Sequence, residues 1–191
     1  RSHMIRKIVT LPSSVLREKS VRIGHIDESI RQLAQDMIET TLDWDRKNEF
    51  GAALAAVQVG QKQKLTVVRN NFEDAEDDEF LTFVNPEIIQ QSSHRVSDVE
   101  GCLSIPRYYA RIPRSNKIKV KAETIDGEPI RLSLEGFAAR VFQHEIDHMH
   151  GKLFLDYVRD PADLLFLGDD NQLHPVDVIP DDIQKFIDDR R

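Results

Sequence analysis

Cysteine is nearly absent: Cys102 is the only one in 191 residues. No internal disulfide framework can form, and a reducing compartment, the cytoplasm, is the expected location. Long apolar runs are missing too. None approaches the roughly 18 residues of a membrane span, and there is no signal-peptide pattern, so no membrane association is expected. Positive charge is in deficit, with 26 Lys and Arg against 33 Asp and Glu, a net charge of −7. Direct nucleic-acid binding, which needs a basic footprint, is therefore not expected, although a local basic patch is compatible with this balance. What remains, 40% hydrophobic and 31% charged, suits one soluble globular domain. There is no internal repeat and no linker. The opening Arg-Ser-His-Met reads as a cloning remnant; residues 1–3 are set aside and Met4 is taken as the native start.

Hydrophobic periodicity supplies the elements. Residues 26–47 predict an amphipathic helix with Asp27 as N-cap, since Ile30, Leu33, Ala34, Met37, Ile38, Thr41 and Leu42 share one face. Residues 65–69 and 80–84 predict strands. Between them lies Glu73-Asp74-Ala75-Glu76-Asp77-Asp78-Glu79, six acids in seven residues, read as a solvated loop. Residues 117–125 alternate apolar and polar, Asp126-Gly127 signals a hairpin, and 128–134 returns. Residues 135–150 predict a second helix, stopped by Gly151 in the C′ position. Short strands with two separated helices imply an α+β fold.

That second helix carries His144-Glu145-Ile146-Asp147-His148. Residues four apart lie one turn apart on one face, so both imidazoles can reach one metal, with Glu145 beside it to handle protons. The bland alternative is two partly buried histidines beside a chance glutamate. A zinc peptidase built on this motif needs a third ligand downstream. The histidine position of one such pattern holds Phe154, and no glutamate follows Glu145. Asp156, Asp163 and His174 remain as weak substitutes. Upstream, Glu100-Gly101-Cys102-Leu103-Ser104 holds the only cysteine. Cys102 reads either as a small buried hydrophobe, as a nucleophile with a histidine base, or as a thiolate ligand. Beside an incomplete histidine pair, the ligand reading is preferred.

Three ordered blocks make the chain similar to the peptide deformylases: Gly51-Ala52-Ala53-Leu54-Ala55-Ala56-Val57-Gln58, Glu100 to Ser104, and Gln143-His144-Glu145-Ile146-Asp147-His148. The similarity runs from about residue 5 to 158. It implies antiparallel sheets packed around the helix bearing the HExxH motif, and a substrate, the N-formylmethionyl end of nascent polypeptides, cleaved to formate and a free amino terminus. By this resemblance Cys102, His144 and His148 hold one divalent metal ion. Fe(II) is expected in vivo, with Zn(II), Ni(II) or Co(II) as replacements. Glu145 is the general base, and the Leu103 N–H and the Gln58 amide stabilise charge on the formyl oxygen. Gln143 and Glu100 are expected to support the ligands. A zinc-dependent peptidase and a structural metal-binding domain remain as alternatives.

The resemblance divides the chain into a catalytic domain, 4–158, and an acidic C-terminal extension, 159–191, expected to be peripheral or partly disordered. From 156 onward there are ten aspartates and four basic residues, so a ribosome encounter through a basic tail is not expected. Ala53 departs from the family pattern, which has glycine there. Either the site demands a left-handed backbone that strains alanine, or the methyl group narrows the substrate channel; the second is favoured.

Overall fold

A computed structural model describes residues 4–47 and 50–189; the tripeptide set aside above lies outside them. Helix α1 (Glu28–Lys47) forms as its periodicity predicts. Asp27 Oδ1 accepts the Ile30 N–H at 3.0 Å, capping it. Its stripe of Ile30, Leu33, Ala34 and Met37 packs onto Leu54, Leu65, Val67 and Val84.

Those residues belong to the first sheet, which has strand order β1-β2-β3-β6-β7. Its members are β1 (Ala53–Ala55), β2 (Leu65–Arg69), β3 (Phe80–Gln91), β6 (Lys117–Glu123) and β7 (Pro129–Glu135). Every pairing is antiparallel. Along β6, Ile118, Val120 and Ala122 are buried while the three lysines face solvent, as the alternation requires.

The second sheet, also antiparallel, has order β4-β5-β8-β9. It contains β4 (Arg95–Cys102), β5 (Ile105–Ser115), β8 (Leu164–Leu167) and β9 (Leu173–Pro175). Hydrophobic patterning hides β4 and β5. The first four residues of β4 are all exposed, and β5 contains Pro106 and Pro113.

Helix α2 (Gly136–Met149) lies between the sheets. Ala139, Phe142 and Ile146 join Val68, Phe83 and Val120 of the first sheet in one apolar cluster. Its other side carries Arg140, Gln143, His144 and His148, which bond residues of β4 and β5. The helix ends at Gly151, where φ is +71° and a Cβ would lie 2.4 Å from the Arg17 carbonyl oxygen. Only glycine meets both demands.

The C-terminal segment carries regular structure. Its described residues include β8, β9 and helix α3 (Asp181–Asp188). Leu164, Ile183, Phe186 and Ile187 are buried with Leu16, Ile112 and Phe154. Ile183, Phe186 and Ile187 fall at i, i+3 and i+4, so a short apolar stripe anchors a segment whose overall composition is acidic.

Candidate active site

The turn between β4 and β5 brings Cys102 against the buried face of α2. The ligand atoms of Cys102, His144 and His148 all lie within 4.8 Å of one another. Cys102 Sγ is 3.4 Å from His148 Nε2. A thiolate with two imidazoles suits zinc or ferrous iron and leaves one tetrahedral position open. Two buried polar atoms beside this cluster, Glu145 Oε2 and His148 Nδ1, have no hydrogen-bond partner among the described residues. A site completed by an ion and water fits such a donor set.

Beneath the cluster lies a buried charge network. His144 Nδ1 is 2.8 Å from Glu100 Oε1. Glu100 also accepts from Arg114 Nε (2.8 Å) and Nη2 (3.0 Å) and from Arg140 Nη1 (2.7 Å). Arg114 Nη1 reaches Asp147 Oδ2 at 2.6 Å, and Tyr157 donates to the same oxygen at 2.8 Å. Burial opposes the charge of Glu100, but the bonds from His144 and Arg114 outweigh it and hold the carboxyl well below the usual carboxylate range. Burial also opposes a charged His144; its bonds to Cys102 and Glu100 win and raise it. Burial lowers His148, helped by the neighbouring His144. Burial pushes the Glu145 carboxyl up to about 7.

Gln58 sits in the one-turn helix Ala56–Val59. Its Oε1 accepts the Ala55 N–H at 2.9 Å, which fixes the amide orientation. Nε2 then points to Ser104 Oγ (3.1 Å) and Cys102 Sγ (3.4 Å). Gln58, Cys102, Leu103, His144 and Glu145 all line one cavity of about 390 Å³. Phe137 and Val141 line it as well, so part of the apolar face of α2 serves the cavity.

Two readings change and a third is narrowed. Gln143 touches no ligand; it bridges the Ser115 N–H (3.1 Å) and carbonyl (2.8 Å), clipping α2 to β5. Asp156 binds Arg17 and His174 pairs with Asp170, so neither joins the cluster. Ala53 is not left-handed; the non-glycine residues with positive φ are Asn85, Arg107 and Asn171 among those described. It pairs with Val68 in β1 and lines the cavity, which excludes the strain account and keeps the channel one. Sequence reasoning missed Arg114. The signal available was that a buried glutamate beside a metal motif needs cationic partners, but no spacing rule says which arginine supplies them.

The fold and the cluster fit a metal-dependent hydrolase whose three-ligand cation site, among the described residues, lies between two antiparallel sheets. The family model for polypeptide deformylases matches residues 5–163. The peptide deformylase of Thermomicrobium roseum is 39% identical over 171 residues, 88% of this chain and 94% of the relative. That of Desulfotalea psychrophila is 42% identical over 154 residues, 81% of this chain and 88% of the relative. The crystal structure of a Synechococcus elongatus peptide deformylase in complex with actinonin superposes with a TM-score of 0.74. It is 35% identical and covers 81% of each chain. The chain belongs to the polypeptide deformylase family, metal-dependent enzymes that remove N-formyl groups from nascent peptides. No helix among the described residues is long and apolar enough to cross a membrane.

Proposed function

We propose that this chain deformylates N-formylmethionyl peptides with Cys102, His144 and His148 as ligands to one divalent ion, Fe(II) in vivo. The observation that carries this reading is the Cys102–His144–His148 cluster, of which Cys102 and His144 line a cavity that also presents Glu145 and Gln58. A divalent ion held there supplies Lewis-acid activation of water and of a carbonyl group. Glu145, buried and without a partner on Oε2, takes a proton from the attacking water and returns it to the leaving amine. Burial raises its carboxyl above the ordinary carboxylate range, which favours its accepting a proton. The Gln58 amide, held by the Ala55 N–H, and the Leu103 N–H donate to the formyl oxygen as charge develops there. Glu100 fixes the His144 ring by accepting from Nδ1, which leaves Nε2 for the ion.

The methionine side chain enters the apolar side of the cavity beside Phe137 and Val141. Residues 4–158 carry the catalytic machinery, and 159–191 form an extension to it. The working location is the cytoplasm. Neither direct nucleic-acid binding nor membrane association is part of the reading. Any ribosome encounter avoids the C-terminal segment, whose ten aspartates and four bases from 156 onward repel phosphate. Among the described residues the cluster offers three ligands and no fourth, which favours an open catalytic site over a closed structural one.

Formate release from formyl-Met-Ala-Ala by protein loaded separately with Fe(II), Ni(II) and Zn(II) tests the reading. Release with metal and none without it is the expected result. Cleavage of an internal peptide bond in place of formate release would replace it with the peptidase alternative.

A further inference from the structure

One part of the cavity is not used by the reading above. Arg107 lies at the start of β5 and lines the cavity together with Leu167 of β8. Its backbone is left-handed, with φ +71°. Few residues with a β-carbon other than Asn and Asp adopt that conformation, and such outliers are enriched at ligand clamps. The surroundings here come from the C-terminal hairpin. Arg107 Nη2 donates to the Leu167 carbonyl at 2.7 Å and to Asp169 Oδ1 at 3.3 Å, and the guanidinium lies 5.3 Å over the Phe166 ring. Residues 166, 167 and 169 all fall beyond the stretch that the family model matches, 5–163. The extension thus builds part of the cavity wall and holds a cation at it.

That cation has spare capacity. A guanidinium carries five N–H donors. Both bonds leave from Nη2, so Nε and Nη1 have no partner among the described residues. The side chain is 47% exposed, and its acidic partner Asp169 is fully exposed, an arrangement worth little to stability. Arg140, the other arginine of the cavity lining, is spent on Glu100 and on the Ile112 and Val96 carbonyls. A carboxylate arriving along the cavity would therefore find one available fork, for which Asp169 is the acidic competitor among the described residues.

We propose that Arg107 and the β8–β9 hairpin form a subsite for an acidic side chain of the formylated peptide, one or two residues beyond its formylmethionine. This rests on the deformylase reading and adds to it a preference among substrates. Arg107 acts on binding, so the preference belongs in KM. Asp169 tempers it by competing for the same guanidinium.

The test compares formyl-Met-Glu-Ala and formyl-Met-Ala-Glu with their Gln counterparts, using metal-loaded protein. At low salt the better Glu peptide should exceed its Gln counterpart in kcat/KM by about threefold, through KM, the scale of an exposed charge pair. The advantage should shrink in about 0.5 M NaCl as screening sets in. Arg107→Gln should bring the ratio to about one, and Asp169→Asn, which frees the fork, should raise it. A ratio at or below one in the unsubstituted protein, or a ratio that Arg107→Gln leaves unchanged, overturns the subsite. Formate release from the Gln peptides with a flat ratio defeats the subsite alone; no release from any peptide defeats the deformylase reading beneath it.

Discussion

Glu100 and Glu145 are both buried glutamates beside the same histidines, yet they have opposite electrostatic characters. Glu100 accepts from Arg114, Arg140 and His144 and is held well below the usual range. Glu145 has an oxygen with no partner among the described residues, and burial pushes it up to about 7. Burial alone therefore does not set a carboxyl group's role; the number of donors that reach it does. In the proposed mechanism the satisfied glutamate serves as scaffold and the unsatisfied one exchanges protons.

Glu145→Gln breaks the comparison most sharply. The amide keeps the shape but cannot take a proton, so kcat should fall by about 10²–10⁴. Metal content by elemental analysis should stay at one ion, while alanine at Cys102, His144 or His148 should lose it. A metal-free Glu145→Gln protein would show that Glu145 is a ligand and that the contrast with Glu100 is misdrawn.

Glu100→Gln attacks the other side. It takes the shared carboxylate away from Arg114, which keeps Asp147, and from Arg140, which keeps only backbone carbonyls; breaking a buried pair costs about 3–5 kcal/mol. Replacing the carboxylate on His144 Nδ1 by a neutral amide should also weaken metal binding by about 10–100-fold. Thermal melting and a competitive chelator titration measure the two effects. A variant that melts normally and holds metal normally would mean the network is dispensable.

How much of this was legible beforehand depends on range. Local period predicts α1, α2 and the β6–β7 hairpin, because each buries a regular face. The block containing His144 and His148 sits within two turns of one helix, so its metal chemistry is readable. Glu100, Arg114 and Arg140 come from β4, β5 and α2, and their meeting depends on the packing of three elements. Exposed β4 residues and the prolines of β5 erase the strand signal on which that packing depends. In the C-terminal segment ten aspartates dominate the composition, while the three buried residues of α3 are too few to stand out in it.

Asp36 sharpens the comparison, because it resembles Glu100 in everything except its neighbours. It is 1% exposed and takes bonds from the Met4 N–H, Arg6 and Gln32. Burial opposes its charge, but the bonds from Met4, Gln32 and Arg6 outweigh it, so its carboxyl lies below the ordinary 3.8. No histidine is involved, and the cavity lining does not include it. Asp36→Asn should cost roughly 1–2 kcal/mol, at the low end for a charged hydrogen bond because Arg6 is partly exposed. A depressed carboxylate stabilises the fold above its unfolded value and loses that contribution as pH falls through its lower folded value. The melting difference between the two proteins should thus be constant from pH 5 to 7, as roughly fixed by the ordinary value, and shrink below 3.8. Turnover should be unchanged. A difference that persists in acid would mean the charge of Asp36 is not what holds the N-terminal arm.

Ala53→Gly gives the smallest effect and asks whether shape, not charge, limits the cavity in which both glutamates work. Ala53 has ordinary backbone geometry, pairs with Val68 and is 6% exposed. Glycine relieves no strain there. It adds freedom to the unfolded chain and removes a buried methyl group, so stability should fall by about 1 kcal/mol. The methyl lines the cavity that also holds Gln58 and Glu145. Its removal widens the space available to the peptide and should raise kcat/KM on formyl-Met peptides by a factor of about two. That scale corresponds to a few tenths of a kcal/mol in the transition state. Binding and chemistry separate cleanly here, because the charges of Glu100 and Glu145 are untouched: the gain should appear in KM, with kcat and its pH profile unchanged. A gain in melting temperature would contradict the backbone geometry. Unchanged kcat/KM would show that the cavity is already wide enough at Ala53 and that donors, not walls, set the rate.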